Sequence, residues 1–311
     1  MIRCYYIDHT FFSELVLGEI SEKLKENNIF NNTEHEKLLI TCHRIELYTT
    51  KEYMHDPLEK LIGHESRSIM DTTNSLKRLI KISTGTSSKI LAERFILQQV
   101  KEAFSNGKIG NELKLFYSAA IDIANRLRDE YDFHTDLDYN DLALKLFSQS
   151  INSEDMQDEV LIIGGGMLAV SIQNTFKKND NSKISMITRQ PKKLKRKVGE
   201  KIKVVLADYF VEEPLLQNHK CIIATSNLNS TYVSKLQNII KNKYCKEIFD
   251  FSAVPCFHKF VEDKKYITIY SNQFENMIKV ANVNLLESAK GIESAIDKYA
   301  ENKIESDFFM K

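Results

Sequence analysis

The sequence predicts an α/β protein in which a small α+β domain precedes a doubly wound parallel sheet and a long C-terminal helix. Short apolar runs alternate with helical stretches in the second half of the chain, as in proteins with a parallel sheet. The chain has only 10 glycines, and three of them are consecutive, at Gly164, Gly165 and Gly166. After Tyr270 the apolar positions keep helical spacing to the end of the sequence.

Composition excludes several classes of protein. The 311 residues, 42% of them hydrophobic, suffice for two domains. Lys+Arg and Asp+Glu are both 43, so no overall basic field indicates nucleic acid or an anionic membrane. No signal peptide and no apolar run of about 20 residues is present, which predicts a cytoplasmic protein without membrane contact. The five scattered cysteines form no CxxC pair, and this predicts reduced thiols and no metal site.

The first 150 residues form the predicted α+β domain. A β-prone run at 2–7 precedes a helical pattern at 13–27. Residues 37–50 predict two strands that meet at a corner, Thr41-Cys42-His43-Arg44. From about residue 73 to 146 the apolar spacing is helical throughout.

The polar segment at 153–158 predicts a boundary, and a nucleotide-binding domain is expected over 151–265. Its strands are predicted at 160–163, 184–187, 203–206, 221–224 and 247–251. Residues 266–311 are the expected C-terminal helix. That helix either pairs with a second copy in a homodimer or folds back in a monomer, and the sequence leaves both open.

The glycine cluster follows the first of these strands and opens a helix. Residues 164–169 match the motif G-x-G-x-x-A. In this motif the glycines permit a tight turn and let the backbone approach a pyrophosphate. The cofactor-binding residues predicted here are Gly164, Gly165, Gly166, Met167, Leu168 and Ala169. This context predicts a Rossmann-type domain, and the alternative is a glycine-rich turn without a ligand.

The second strand of this domain ends at Thr188 and Arg189. An acidic residue there would bind the ribose 2′-hydroxyl of NAD, whereas an arginine suits the 2′-phosphate of NADPH. Both residues are therefore added to the predicted site, and NADPH is the predicted cofactor. The basic run at 192–197 is interpreted as a solvated helix face, in preference to a tRNA-binding or membrane-binding patch.

Cys42 ends an apolar strand and precedes two basic residues, His43 and Arg44. Nearby cations lower a thiol's pKa and so favour a nucleophilic thiolate. On local sequence alone, a half-buried structural cysteine is the commoner reading.

A resemblance to a known protein family favours a nucleophilic role for Cys42 over a structural one. The segments ITCHRIELY at 40–48 and KISTGTSSKILAERFILQQVKEAF at 81–104 resemble two blocks of the glutamyl-tRNA reductases. VLIIGGGMLA at 160–169 and FDFSAVP at 249–255 are similar to two further blocks, in the same order and spacing. The resemblance covers essentially the whole chain.

The resemblance implies an oxidoreductase of tetrapyrrole (porphyrin) biosynthesis. Cys42 would attack the ester of glutamyl-tRNA to give a thioester, and NADPH would reduce the thioester to glutamate-1-semialdehyde. An aminoacyl-tRNA would thus be the substrate. The substrate-binding positions that it implies are Thr41, His43, Arg44, Ser88, Glu93, Arg94, Phe95 and Gln99.

The chain also departs from that family's pattern. The family's asparagine after the cysteine is His43, its aspartate before Ser88 is Ser87, and a histidine that supports activity aligns with Arg78. A glycine of the second block is Ala92. These changes leave two alternatives open: reduction of another aminoacyl ester or thioester, and a non-catalytic binding protein.

Overall fold

The computed structural model describes residues 1–26, 33–41, 43–135, 141–142, 145–146, 159–178, 183–199, 202–206, 221–225, 245–252, 255, 257, 265–268 and 270–308. They form two compact units. The first combines Met1–Asp138 with Ile278–Lys311, and the second is Tyr139–Met277. The predicted domain limit at 150 stays a prediction, because residues 147–158 lie outside the described part of the chain.

The first unit is built on a four-stranded antiparallel sheet. Its strands are β1 (Arg3–Asp8), β2 (Glu36–Ile40), β3 (Arg44–Thr49) and β4 (Arg67–Ile69), in the order β2-β3-β1-β4. β2 and β3 flank the predicted corner, so the prediction of two strands meeting at 41–44 is confirmed. β4 carries no sequence signal and was not predicted, because it is only three residues long.

Helices cover both faces of this sheet. One face packs on α1 (Glu14–Glu26) and α2 (Pro57–Ile62), with Leu17, Ile20 and Leu58 buried against β1 and β3. The other face packs on α3 (Thr72–Thr84), α4 (Arg94–Ser105) and α5 (Asn111–Glu130). Because alternate residues of a strand point to opposite faces, each strand contributes side chains to both cores.

The expected unbroken helical region from 73 to 146 is wrong in detail, because three non-helical segments of the described chain interrupt it, at 85–93, 106–110 and 131–135. α3 ends at Gly85, which adopts a left-handed conformation with φ of +84° and donates its N–H to the carbonyl of Ile82. α4 ends at Ser105, and α5 begins after Gly110. Apolar spacing persists across such breaks, so it does not reveal them.

The C-terminal region folds onto the first unit. α9 (Leu286–Phe308), which follows a short 3₁₀ turn (Val283–Leu285), packs on α3 and α5. Its side chains Ile292, Ile296 and Ala300 are fully buried in that core. These three apolar side chains are therefore covered within one chain, whereas Leu286 at the start of the helix is exposed, and pairing in a homodimer stays a prediction.

The second unit contains a six-stranded parallel sheet, which confirms the predicted fold class. The strands are β5 (Glu159–Ile163), β6 (Lys183–Thr188), β7 (Lys203–Leu206), β8 (Cys221–Ala224), β9 (Glu247–Asp250) and β10 (Lys265–Thr268). Their order β10-β9-β8-β5-β6-β7 places β5 and β8 side by side at the centre. This is the strand order of a Rossmann fold, whose ligands bind at the carboxyl ends of the central strands.

Three helices are described in the second half of the chain before α9: α6 (Met167–Lys178), α7 (Pro191–Val198) and α8 (Asn272–Asn282). α6 follows β5 directly and α7 follows β6, as the alternating pattern predicts. None of the helices in the described ranges is long and apolar enough to cross a lipid bilayer.

Candidate functional site

A row of polar side chains crosses the face of the antiparallel sheet that packs on α3, α4 and α5. In β1 and β3 the cross-strand pairs are Tyr6 with Glu46 and Asp8 with Arg44. All four alternate with apolar residues, so they share one face. Asp8, Arg44 and Glu46 are buried, which is exceptional for charged groups unless they are paired.

Arg78 of α3 pairs with both carboxylates of this row. Its Nη2 lies 2.7 Å from Asp8 Oδ2 and 2.7 Å from Glu46 Oε1, and its Nε also donates to Glu46 Oε1 at 3.1 Å. The guanidinium carbon lies 3.4 Å from the centre of the Tyr6 ring. Tyr48 donates its hydroxyl to Glu46 Oε2 at 2.6 Å. Arg78 thus joins two strands and a helix through one ion-pair network.

These contacts perturb the pKa values of Asp8 and Arg78. Burial alone would raise the pKa of Asp8, but hydrogen bonds from Arg78 and Thr10 outweigh burial and lower it. Burial would lower the pKa of Arg78, but the charge of Glu46 outweighs it and the pKa is raised. Both groups therefore stay charged at neutral pH.

The corner between β2 and β3 is closed by backbone hydrogen bonds. The Thr41 N–H donates to the carbonyl of Arg44 at 2.9 Å, and the His43 N–H donates to Thr41 Oγ1 at 3.2 Å. The His9 N–H donates to the carbonyl of His43 at 3.0 Å. Cys42, the predicted nucleophile, lies outside the described residues. Its neighbours on both sides are buried and fixed by these bonds.

Arg44 is a buried cation that lacks a carboxylate partner among the described residues. Its Nη2 donates to the backbone carbonyl of Ser87 at 2.6 Å. Its Nε is buried and has no hydrogen-bond partner in the described part of the chain. The residue is only 3% exposed. Since buried charges are normally paired, this guanidinium is suited to receive an anionic ligand.

A cleft of about 730 Å³ opens at the end of this sheet, and we call it the sheet-end cleft. Arg44, Asp8 and Arg78 line it, together with Arg67 of β4. α9 contributes Asp297, which lies 3.0 Å from Lys77 Nζ. The cleft therefore combines strand, helix and C-terminal residues of the first unit.

The structure brings some of the predicted substrate residues together and leaves others apart. Arg44 lines the sheet-end cleft, and Ser88 follows the lining residue Ser87. The other described candidates do not line it. Thr41 and His43 are buried in the corner, Glu93 precedes α4, Phe95 and Gln99 lie on α4, and the side chain of Arg94 lies outside the described residues.

Sequence reasoning missed Asp8 and Glu46 as members of the site. The signal that could have found them is polar alternation: Tyr6 and Asp8 in β1, then Arg44, Glu46 and Tyr48 in β3. Polar residues at every second position of two paired strands indicate a polar face within the sheet. Their partner Arg78 is 70 residues from Asp8, and no local pattern reveals it.

The glycine turn of the second unit has the geometry of a dinucleotide-binding turn. Gly164 has φ of +129°, and its N–H donates to the carbonyl of Ile187 at 2.9 Å. A Cβ on Gly165 would lie 2.8 Å from Thr188 Oγ1, whereas a Cβ on Gly166 would meet nothing within 4 Å. The turn is thus tight where it approaches β6 and open where α6 begins.

The other predicted cofactor residues lie around this turn. Met167 and Leu168 open α6 and are half-buried, while Ala169 is fully buried. Arg189 is exposed just after β6. Phosphate groups bind well to such a helix N-terminus because its first N–H groups are free. The residues present therefore fit a dinucleotide. No group of three potential metal ligands occurs in the described ranges.

Comparison with known proteins gives one family match. Residues 8–131 match the family "Glutamyl-tRNAGlu reductase, N-terminal domain". The glutamyl-tRNA reductase of Thermoplasma acidophilum is 30% identical over 172 residues, which are 53% of this chain but 39% of that protein. The one from Sulfolobus acidocaldarius is 24% identical over 335 residues, 98% of this chain and 77% of that protein.

Two further relatives span most of the chain. Protein nfe2 of Rhizobium meliloti is 25% identical over 287 residues, which are 90% of this chain and 92% of that protein. Among solved structures, the glutamyl-tRNA reductase of Methanopyrus kandleri aligns over 98% of this chain and 79% of its own length. Its TM-score is 0.48 and its sequence identity 17%.

Proposed function

We propose that the chain, whose residues 8–131 match the N-terminal domain of the glutamyl-tRNA reductases, reduces glutamyl-tRNA to glutamate-1-semialdehyde through a thioester on Cys42. Cys42 acts as the nucleophile, and Arg44 binds the side-chain carboxylate of the glutamyl group. The glycine turn of the second unit binds NADPH.

The observation that carries the proposal is the buried guanidinium of Arg44, which has no carboxylate partner in the described part of the chain. One residue separates it from Cys42 in the sequence, and it lines the sheet-end cleft. Asp8, its cross-strand neighbour, is already paired with Arg78. A substrate carboxylate bound to Arg44 would neutralise this buried charge through two parallel hydrogen bonds.

The thiol step follows from ordinary ester chemistry. The thiolate of Cys42 attacks the ester carbonyl carbon, a carbon–sulfur bond forms, and the bond to the ribose oxygen breaks. The ribose oxygen takes up a proton and leaves with the tRNA. The positive charge of Arg44, which one residue separates from Cys42 in the sequence, would favour the thiolate over the thiol.

The glycine turn supports the cofactor assignment. Gly164 and Gly165 allow the close approach of backbone that a pyrophosphate needs, and Arg189 carries the charge that a 2′-phosphate requires. When bound, the nicotinamide supplies the hydride that reduces the thioester to the aldehyde.

A second candidate is the same chemistry on another acidic aminoacyl ester. Arg78 and Ser87 line the cleft where the family resemblance implies other residues. Arg78 is neutralised by two carboxylates, so it adds no free positive charge for a second substrate anion. Arg44, which has no carboxylate partner among the described residues, therefore favours a substrate with a side-chain carboxylate, either glutamate or aspartate.

The experiment uses the purified full chain, NADPH and tRNA charged with glutamate, aspartate or glutamine, with aldehyde trapped as product. We expect turnover with glutamyl-tRNA and none with Cys42→Ser. Arg44→Gln should lower kcat/KM for glutamyl-tRNA by roughly 30- to 1,000-fold, equivalent to about 2–4 kcal/mol. It should leave the glutaminyl-tRNA rate almost unchanged.

Arg67→Gln is the matched control. Arg67 lines the same cleft but is exposed, with its guanidinium 4.3 Å from the centre of the Phe11 ring. Its removal should cost less than tenfold. Normal activity of Cys42→Ser would refute the thioester, and equal losses in the two arginine variants would refute the role of Arg44. Preference for aspartyl-tRNA would establish the second candidate instead.

A further inference from the structure

The short helix α7 presents a face made only of cations. Five of its eight residues, Pro191–Val198, are lysine or arginine. Leu194 and Val198 are buried and hold the helix against its unit. On the opposite face lie four exposed cations, Lys192, Lys193, Arg196 and Lys197. Their spacing of three and four residues makes them neighbours on the helix surface.

These four cations form no ion pair with the described residues. Some exposed cations elsewhere are paired, as Lys290 is with Glu287 and Arg126 is with Glu130. The first turn of α7 contains no acidic residue. Cations and anions balance over the whole sequence, at 43 each, so this face is a local concentration of charge.

The arrangement opposes the stability of the isolated helix. Lys192 and Lys193 lie in the first turn, where the positive end of the helix dipole disfavours cations. Like charges four residues apart, such as Lys193 and Lys197, repel by a few tenths of a kcal/mol. A face needed only for solubility would intersperse both signs of charge. A polyanion bound to this face would offset both costs.

We propose that this face of α7 binds the phosphodiester backbone of RNA, namely the tRNA of the substrate; the choice of tRNA rests on the proposed function. Lysine suits contacts with phosphate that carry no sequence information, because its charge is compact and its stem flexible. The eight residues span about 12 Å, which is longer than a single phosphate group. Several successive phosphates can therefore contact the four cations.

The structure favours RNA over a membrane surface. A helix that binds a membrane inserts apolar side chains between lipid headgroups. The two apolar side chains of α7, Leu194 and Val198, are buried in the protein and cannot do so. Only the charged face of α7 is available to a partner, and positive charge alone is sufficient to bind the phosphates of a nucleic acid.

The test compares two triple variants of equal charge. The patch variant is Lys193→Gln/Arg196→Gln/Lys197→Gln, and the control is Lys60→Gln/Lys108→Gln/Lys114→Gln, three exposed lysines of the first unit. Binding of uncharged tRNA is measured by fluorescence anisotropy over a range of KCl concentrations. We expect the patch variant to bind roughly 10- to 100-fold more weakly at low salt. The slope of log K against log [KCl] should fall by about 2–3, and the control should match the wild type.

Three further readouts separate this inference from its competitors. NADPH affinity should be the same in the patch variant and the wild type, and a loss there would assign the face to the cofactor. Vesicles of anionic lipid should bind neither protein, and binding that requires the patch would overturn the RNA assignment. An unchanged KM for charged tRNA in the patch variant would also overturn it, while leaving the proposed function intact. If the wild type binds tRNA through the patch but reduces no aminoacyl-tRNA, the proposed function fails and the RNA face stands.

Discussion

Replacing Arg78 with methionine should destabilise the first unit strongly. The change removes three charge-assisted hydrogen bonds, two to Glu46 and one to Asp8. Glu46 is completely buried and would keep the Tyr48 hydroxyl as its strong donor. Removing one partner of a buried ion pair costs about 3–5 kcal/mol, because the remaining charge stays desolvated. We expect a loss of that size in the free energy of unfolding.

The assay is urea unfolding followed by circular dichroism, with amide hydrogen exchange of peptides from β1 and β3 to localise the effect. Lys77→Met is the control, because Lys77 precedes Arg78 on α3 and its partners Asp297 and Glu301 are exposed. Exposed pairs contribute about 0–1 kcal/mol. The double variant Arg78→Met/Glu46→Gln should recover part of the loss, because the fully buried Glu46 no longer carries an unpaired charge. Equal losses from Arg78→Met and Lys77→Met would refute the reasoning.

The same network predicts the response to acid. The pKa of Asp8 is lowered in the folded state from its ordinary value of 3.8. A lowered carboxyl pKa stabilises the protein above the unfolded value, and this contribution is lost as the pH falls below 3.8 through the folded value. The Asp8→Asn variant should therefore lose stability at neutral pH and show a shallower acid limb. An acid limb as steep as that of the wild type would contradict this assignment.

Three glycine-related predictions follow from backbone geometry. Ala92 has φ of +59°, a backbone conformation that is strained for alanine but not for glycine. Ala92→Gly should therefore raise the free energy of unfolding, measured in urea, by about 0.5–1 kcal/mol, and a lower free energy of unfolding would contradict this strain. Gly165→Ala should weaken NADPH binding, measured by titration, without unfolding the protein, because the added Cβ would lie 2.8 Å from Thr188 Oγ1. An unchanged affinity for NADPH would exclude this turn as the cofactor site. Gly291→Leu should raise hydrogen exchange in α9, because a Cβ there would overlap the Tyr131 ring, and unchanged protection would contradict this packing.

Local features of the fold could be predicted from the sequence. The corner at 41–44 and the turn at Gly164 depend on residues next to one another in the chain, as do the strands that precede them. Alternation and glycine placement report such features directly, because strand period and turn geometry are set within a few residues. The breaks in the helical region at Gly85 and Gly110 could not be predicted from the sequence, because the helical spacing of apolar residues continues on both sides of each break.

By itself the sequence determined the two-part α/β architecture and the place of Arg44 beside Cys42. Only the tertiary structure decided which groups face Arg44: its Nη2 meets Ser87, 43 residues away, and its neighbour Asp8 is neutralised by Arg78, 70 residues away. Such pairs depend on how α3 packs on the sheet, and no sequence period encodes the distance between two charges on different elements. That Arg44 has no carboxylate partner among the described residues is a property of that packing.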